Sequence, residues 1–314
     1  MSSLMTYAVT TPYRDNVPLQ GVEEVQTAFG ITPTNPVMTI DASMVTNTKT
    51  TYNTLHEMYQ KMGDRTIYKF IKTGHERAWT MDWSPVDTQL IRYGTENGNA
   101  AGTLTGTIDK SLSFFNSIRR AVGAFTLTEH WIKRLGTKID SITVNTTSRG
   151  LVTCSADMIS RDVPKPTVTD PKGTGTLITP STAIPWAHNT GGLSKFTLGG
   201  VVYPFKRASF TVNNNLDDGD VDGSDYIEWL EPTKKEVTFE ADLIVGKNLL
   251  IEDAIETFVD LNTASIILNS TGPKTATFTA PIVCTGYSQD RSSDTTAAEV
   301  YTFSFKAKDV TVTA

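Results

Sequence analysis

A period of two runs through most of this chain. Val152-Thr153-Cys154-Ser155-Ala156-Asp157-Met158, Val237-Thr238-Phe239-Glu240-Ala241-Asp242-Leu243, Thr275-Ala276-Thr277-Phe278-Thr279-Ala280 and Val300-Tyr301-Thr302-Phe303-Ser304-Phe305-Lys306 all alternate apolar with polar side chains. Successive residues of a strand point to opposite faces, so these runs predict strands with one face on a core and the other in water. Antiparallel sheets show this alternation, whereas a parallel sheet covered on both sides reads as continuous apolar runs. Fifty threonines, with Val, Ile and aromatics, add to the preference for pleated backbone. The expected class is mainly β, with antiparallel sandwich or barrel-forming domains.

Alternation also assigns faces. Trp79, Met81 and Trp83, Val152, Cys154, Ala156 and Met158, and Val237, Phe239, Ala241 and Leu243 are expected in the cores. Thr80 and Asp82, Thr153, Ser155 and Asp157, and Thr238, Glu240 and Asp242 then point away. Two short helices interrupt the strands. Ser84 can cap the first, Pro85 suits its first position, Leu90, Ile91 and Tyr93 supply contacts, and Gly94 offers a left-handed stop. The second starts near Asn248, with Ile251, Ala254, Ile255, Phe258 and Val259 at helical spacing.

The elements repeat in order. Ala42-Ser43-Met44-Val45-Thr46-Asn47 matches Ala208-Ser209-Phe210-Thr211-Val212-Asn213 at an offset of 166, and Trp79-Thr80-Met81-Asp82 matches Val237-Thr238-Phe239-Glu240 at 158. A helix follows each second match. Further strands are then expected at Thr103–Phe115, Phe125–Trp131, Lys138–Asn145 and Leu151–Ile159 in one half, and at Ala264–Asn269, Thr275–Asp290 and Val300–Asp309 in the other. The expected domains are 1–165 and 166–314, and residues 162–192, with five prolines, form a linker or extended arm between them. Each half carries a long insertion, 48–75 and 214–235. The first contains a predicted helix over Leu55–Met62, and the second is strongly acidic.

Several chemistries are disfavoured. Cys154 and Cys284 show no CxxC or Cys/His spacing, so neither a disulfide framework nor a zinc site is expected. His56, His75, His130 and His188 are scattered, and no GxSxG or phosphate-loop motif occurs. No catalytic residue and no cofactor are therefore expected. Residues 1–165 hold 17 basic and 15 acidic side chains and residues 166–314 hold 11 and 19, too little positive charge in either half to wrap nucleic acid. Met1–Tyr7 lacks the basic start and apolar stretch of a signal peptide, so synthesis in the cytosol is expected. Asp218-Gly219-Asp220-Val221-Asp222-Gly223 opens like a calcium loop, but the closing carboxylate, Glu228, sits at position eleven rather than twelve. Asp218, Asp220, Asp222 and Glu228 are thus only a weak calcium candidate.

Together, Ala208–Leu216, the acidic loop, Lys235–Asp242, Ala280-Pro281-Ile282-Val283 and the final strand Val300–Ala307 resemble the tail tube proteins of long-tailed viruses of bacteria and archaea. Gly136–Val144 followed by Gly150–Asp157 resembles them in the first half. The resemblance implies a β-sandwich with one flanking helix and a long loop, domains set six to a ring, and rings stacked into a DNA conduit. A chain with two such domains would close the ring as a trimer, a hexamer of chains being the alternative. The partners implied are further copies of the chain, tail tip or baseplate and terminator proteins, and viral DNA passing without sequence-specific contact. Assembly in the host cytoplasm into the virion tail follows, with no membrane involved. On that reading Thr80, Asp82, Asp157, Thr238, Glu240 and Asp242 are the lumen-facing candidates. Tyr52, Tyr59, Asp217, Asp218, Tyr226 and Trp229 are the inter-subunit loop candidates. The rival readings are a calcium-stabilised extracellular β-sandwich that binds glycans or surfaces, and an effector-secretion tube.

Overall fold

Alternation becomes pairing along most of the described residues. The computed structural model describes residues 15–24, 29–34, 36–38, 40–41, 45–50, 53–60, 67–95, 111–122, 126–171, 173–179, 182–187, 195–220, 227–244, 261–269, 274–290 and 300–313. The first half contains β1 (Asp15–Glu23), β2 (Ile40–Asp41), β3 (Val45–Thr50), β4 (Asn53–Gln60), β5 (Ile67–Glu76), β6 (Ala78–Trp83), α1 (Gln89–Thr95), β7 (Leu112–Val122), β8 (Thr126–Thr147) and β9 (Thr153–Asp162). The second contains β10 (Lys195–Leu198), β11 (Val201–Asn213), β12 (Leu216–Asp220), β13 (Ile227–Pro232), β14 (Glu236–Ile244), β15 (Leu261–Asn269), β16 (Lys274–Asp290) and β17 (Val300–Thr313).

Among the described residues, these strands pair with one another antiparallel throughout. In the second half, β10-β11-β14-β17-β16-β15 returns to β10 and closes a six-stranded barrel. In the first half the order is β3-β6-β9-β8-β7-β1-β2. Strand by strand, β3, β6, β9, β8 and β7 occupy the places of β11, β14, β17, β16 and β15. A seam joins the halves: Arg207–Asn213 of β11 pairs with Ser141–Thr147 of β8. The sheet therefore runs from one half into the other without a break.

All eleven residues assigned to the cores by alternation are buried. In the second half, Phe239 stacks on Phe278 at 4.0 Å and on Phe305 at 4.7 Å between ring centres, with Phe196 beyond. In the first half, Trp79 meets Phe114 edge to face at 5.3 Å and donates its indole N–H to Ser160. Such pairs add to the stability that area burial already supplies.

Four local expectations are corrected. The segment expected to be helical from Leu55 is strand β4, paired with β5 from Asn53 opposite Glu76 to Gln60 opposite Ile67. Eight residues are too few for apolar spacing to separate helix from strand, and Ile67-Tyr68-Lys69-Phe70-Ile71 offers a strong β partner. Phe125–Trp131 and Lys138–Asn145 are one continuous strand, β8, because Gly136 absorbs the irregularity at φ 59°. Gly94 is not a left-handed stop. It lies inside α1, and its missing Cβ lets the helix approach Ile142, whose Cγ2 would stand 2.7 Å from an added Cβ. Finally, the repeat is shifted in β3. Thr50 lies opposite Trp79 and Val212 opposite Val237, which equates position 50 with 212, whereas the offset of 166 would equate it with 216. Thr-rich strings match in several frames, and only the partner strand fixes one. The helix expected near Asn248 lies outside the described residues.

Candidate functional site

The face of the sheet turned away from the core is polar and continuous across the seam. Following the register from β6 to β17, Asp82, Ser155, Thr143, Thr211, Thr238 and Lys306 stand in one row. Thr153, Asn145, Ser209, Glu240 and Ser304 form another, one pleat along. Alternation produces these rows automatically, because each residue on this face flanks a buried one.

The carboxylates in the rows are held by neighbouring strands. Asp82 accepts from Ser155 Oγ at 2.7 Å and from Asn47 Nδ2 at 3.2 Å. Asp157 accepts from Ser141 Oγ at 2.8 Å, and Glu240 accepts from Ser304 Oγ at 3.3 Å. Asp242 accepts from Thr302 Oγ1 at 2.7 Å and pairs with Arg207 Nε at 3.1 Å. Thr80 and Thr238 are half-buried on the same face. Sequence reading placed the six candidates on this face but missed their partners, above all Arg207, which pairs with Asp242 and tempers the negative charge, as does Lys306 opposite Thr238. The period-two run Ser141, Thr143, Asn145 was the available signal.

The inserted segments fold as hairpins. Leu216–Asp220 pairs with Ile227–Pro232, so Asp217, Asp218 and Asp220 lie on extended backbone, with Asp217 exposed. Trp229 is 44% exposed and lies over Gly219, where an added Cβ would meet its ring at 1.7 Å. Lys138 Nζ donates to Leu230 O and Asp140 Oδ1 accepts from Leu216 N, which fixes the base of this hairpin to β8. Tyr59 lies on β4, while Tyr52, Asp222 and Tyr226 fall outside the described residues, as do the side chains of Asp218, Asp220 and Glu228. Among the described residues no group of three or more His, Cys, Asp or Glu is gathered as metal ligands would be.

Helix α1 and the proline-rich arm secure the seam and the first half. Asn214 is buried and donates from Nδ2 to Gly94 O at 3.0 Å and to Ile139 O at 2.9 Å. Lys235 Nζ donates to Thr95 O, the end of the helix, and pairs with Asp309. Cations belong at a helix C-terminus, where carbonyls lack intrahelical donors. The arm crosses the first half, where Thr167 exchanges both backbone hydrogen bonds with Trp131 and Gln20 does the same with Ile178 through its side-chain amide. Trp186, 2% exposed, anchors its far end.

Reactive groups are muted. Burial pushes the Cys154 and Cys284 thiols up, away from the thiolate a nucleophile needs. Burial, then the hydrogen bond to Glu23 and the charge of Glu23, raise Tyr93 well above the usual phenol range.

A long, edge-bearing β sheet with a polar outer face is assembly material, and comparison with known proteins names the assembly. The sequence profile of the phage tail tube protein family matches residues 42–307. The chain belongs to that family. The match begins before β3 and ends within β17, so it covers the seam, the first half from β3 onward and the second half as far as β17. Membership makes this tail tube protein a structural component of a virion tail that assembles with copies of itself and with other tail proteins. Comparison with curated proteins gives no match.

Proposed function

We propose that this chain polymerises into stacked rings that form the hollow tail tube through which viral DNA passes during ejection. Each chain contributes two tandem tube domains, about 1–165 and 166–314, so three chains close a ring of pseudo-sixfold symmetry. The observation that carries this reading is the seam. Five strands of each half follow a matching order, and β8 of the first half pairs with β11 of the second within one sheet, which supports this reading.

The polar face supplies the lumen in this reading. Asp82, Asp157, Glu240 and Asp242 turn DNA phosphates away while Thr80, Thr238 and their hydroxyl neighbours keep the wall smooth and wetted. The hairpins carrying Tyr59, Asp217 and Trp229 reach neighbouring subunits or the adjoining ring. Tail tip or baseplate and terminator proteins cap the two ends, and assembly takes place in the host cytoplasm. The tube works by shape and charge, with no reaction catalysed and no cofactor.

Microscopy of the purified protein tests this. Hollow rods or rings with three chains per ring are expected. Six chains per ring would refute the tandem-domain closure, and a particle that stays monomeric at all concentrations would refute the tube. Glu240→Lys with Asp242→Lys is expected to lower DNA delivery by assembled particles at least tenfold, and undiminished delivery would remove the lumen assignment.

A further inference from the structure

The seam inside the chain has two unfilled counterparts. Along β8, residues 126–137 pair with β7, and beyond that point the edge at Ser141–Thr147 is taken by β11. The corresponding strand, β16, pairs with β15 only as far as Ile282. Beyond it, among the described residues, Val283–Asp290 pairs with β17 alone. The strand that corresponds to β11 is β3, which pairs with β6 alone among the described residues. One chain thus presents both halves of a joint whose completed form it already contains.

Exposure marks the same two edges. Thr46, Asn47, Thr48 and Lys49 are all exposed, although Thr48 lies opposite Met81, which is fully buried. Tyr287 lies opposite buried Phe303 and stacks on it at 5.9 Å, yet is 51% exposed, and Val283, earlier on the same strand and opposite Lys306, is 44% exposed. These are residues at core-side or edge positions with no covering strand among the described residues. Unpaired edges of this kind template addition of another strand.

We infer that β3 of one chain pairs antiparallel with Val283–Asp290 of β16 in the next copy, reproducing between chains the β8–β11 seam within each. This inference rests on the tube reading and adds to it the strands, their direction and their register. The register follows from equivalences already described. Phe210 stands between Phe239 and Val144, and Val144 stands opposite Cys154, which stands opposite Trp83. The counterparts of Phe239 and Trp83 are Met81 and Ala241, so Thr48 takes the place of Phe210 and Tyr287, opposite Phe303, takes that of Val144. Thr48 therefore faces Tyr287 of the neighbouring copy, and Asn47 faces its Ser288. The half-exposed Tyr287 ring is covered, and the polar rows continue from chain to chain. Because the two edges differ, the contact is head-to-tail, the kind that closes into rings.

Disulfide trapping tests the register. Directly opposed residues of an antiparallel pair have Cα atoms about 4.5–5.5 Å apart, within disulfide range. In a Cys284→Ser background, Asn47→Cys with Ser288→Cys is expected to give reductant-sensitive covalent species in rods, ending at a trimer. Thr48→Cys with Ser288→Cys, whose side chains point to opposite faces, is expected to give at least tenfold less. For the unmodified protein, amide exchange at 46–49 and 284–288 is expected to slow at least tenfold on passing from subunits to rods, a readout that survives any variant that fails to fold. Rods with no preferential cross-link and no added protection at these amides would overturn the pairing while leaving the tube reading intact. Failure of the unmodified protein to form rods or rings would overturn both.

Discussion

Asn214 is the side chain on which the seam is most exposed to test. Its Nδ2 satisfies two backbone carbonyls at once, Gly94 O at the end of α1 and Ile139 O on β8, and its own N–H reaches Asp140 O at 2.7 Å. All of this is buried, Asn214 itself being 2% exposed. Asn214→Ala keeps the backbone contact and removes both side-chain donors. A buried polar group left without its partner costs about 1–3 kcal/mol, so losing both amounts to about 2–4 kcal/mol once some water entry is allowed for.

Asn214→Asp sharpens the test. An ionised carboxylate would face two carbonyl oxygens with no proton to offer, and burial among them raises its pKa above the ordinary value of about 3.9. A group with a raised folded-state pKa contributes its stability below the unfolded value and loses it as pH climbs to the folded one. The aspartate variant should therefore match or exceed the alanine variant near pH 4 and fall below it at pH 7, by about 1.4 kcal/mol for every tenfold weakening of the acid on folding. Urea unfolding of the dispersed subunit at both pH values, followed by tryptophan fluorescence, reads these differences. A cost below about 0.5 kcal/mol for Asn214→Ala, or curves for the two variants that do not separate with pH, would refute the claim that this amide holds the helix to the seam.

Three further outcomes follow from the packing. Phe239→Ala should cost about 3–5 kcal/mol, because the ring lies between Phe278 and Phe305, and Phe239→Leu should cost less than half of that; equal costs in urea unfolding would show that aromatic stacking is not what holds the second barrel. Gly94→Ala should destabilise by about 1–3 kcal/mol despite better helix propensity, since the new methyl meets Ile142 Cγ2, and its added cost should shrink in an Ile142→Ala background, which lacks that atom; a stabilised single variant would refute the close approach. Tyr93 has a raised pKa, so the stability it contributes is intact below about pH 10 and is lost as pH rises beyond that. The thermal midpoint gap between the wild type and Tyr93→Phe should shrink from pH 8 to pH 11, and a constant gap would remove Tyr93 as the cause.

What could be read from the sequence was what depends on neighbours in the chain. The buried set Trp79, Met81, Cys154, Ala156, Phe239 and Leu243 follows from a period of two, a property of any strand wherever it pairs. Positions where the period fails were misread. Lys133-Arg134-Leu135-Gly136 broke the alternation and split β8 in two, although the left-handed glycine lets the strand pass through. Leu55, Met58, Tyr59 and Met62 matched a helical stripe by accident of spacing, and the neighbouring Ile67–Ile71 strand overrode it. The shift of β3 against β11 has the same origin, for register is a relation between strands and short strings do not carry it.

The polar face divides along the same line. Asp82, Asp157, Glu240 and Asp242 could be placed on it from their own strands, but each finds its hydrogen-bond partner on another strand, Asp242 on both Arg207 and Thr302. Whether such a face is acidic or nearly balanced is decided by which strands become adjacent, so its electrostatic character is a tertiary property. An edge behaves differently, because an edge strand announces what it lacks. Asn47-Thr48-Lys49-Thr50 has no apolar side chain to give a core, and yet it sits in the place filled in the other half by Ser209-Phe210-Thr211-Val212, which gives two. A strand that polar survives in a sheet because its backbone hydrogen bonds hold it there, and β6 satisfies only one side of it. The sequence of β3 is thus that of a strand whose second side is left for backbone pairing, which is the condition the head-to-tail joint requires.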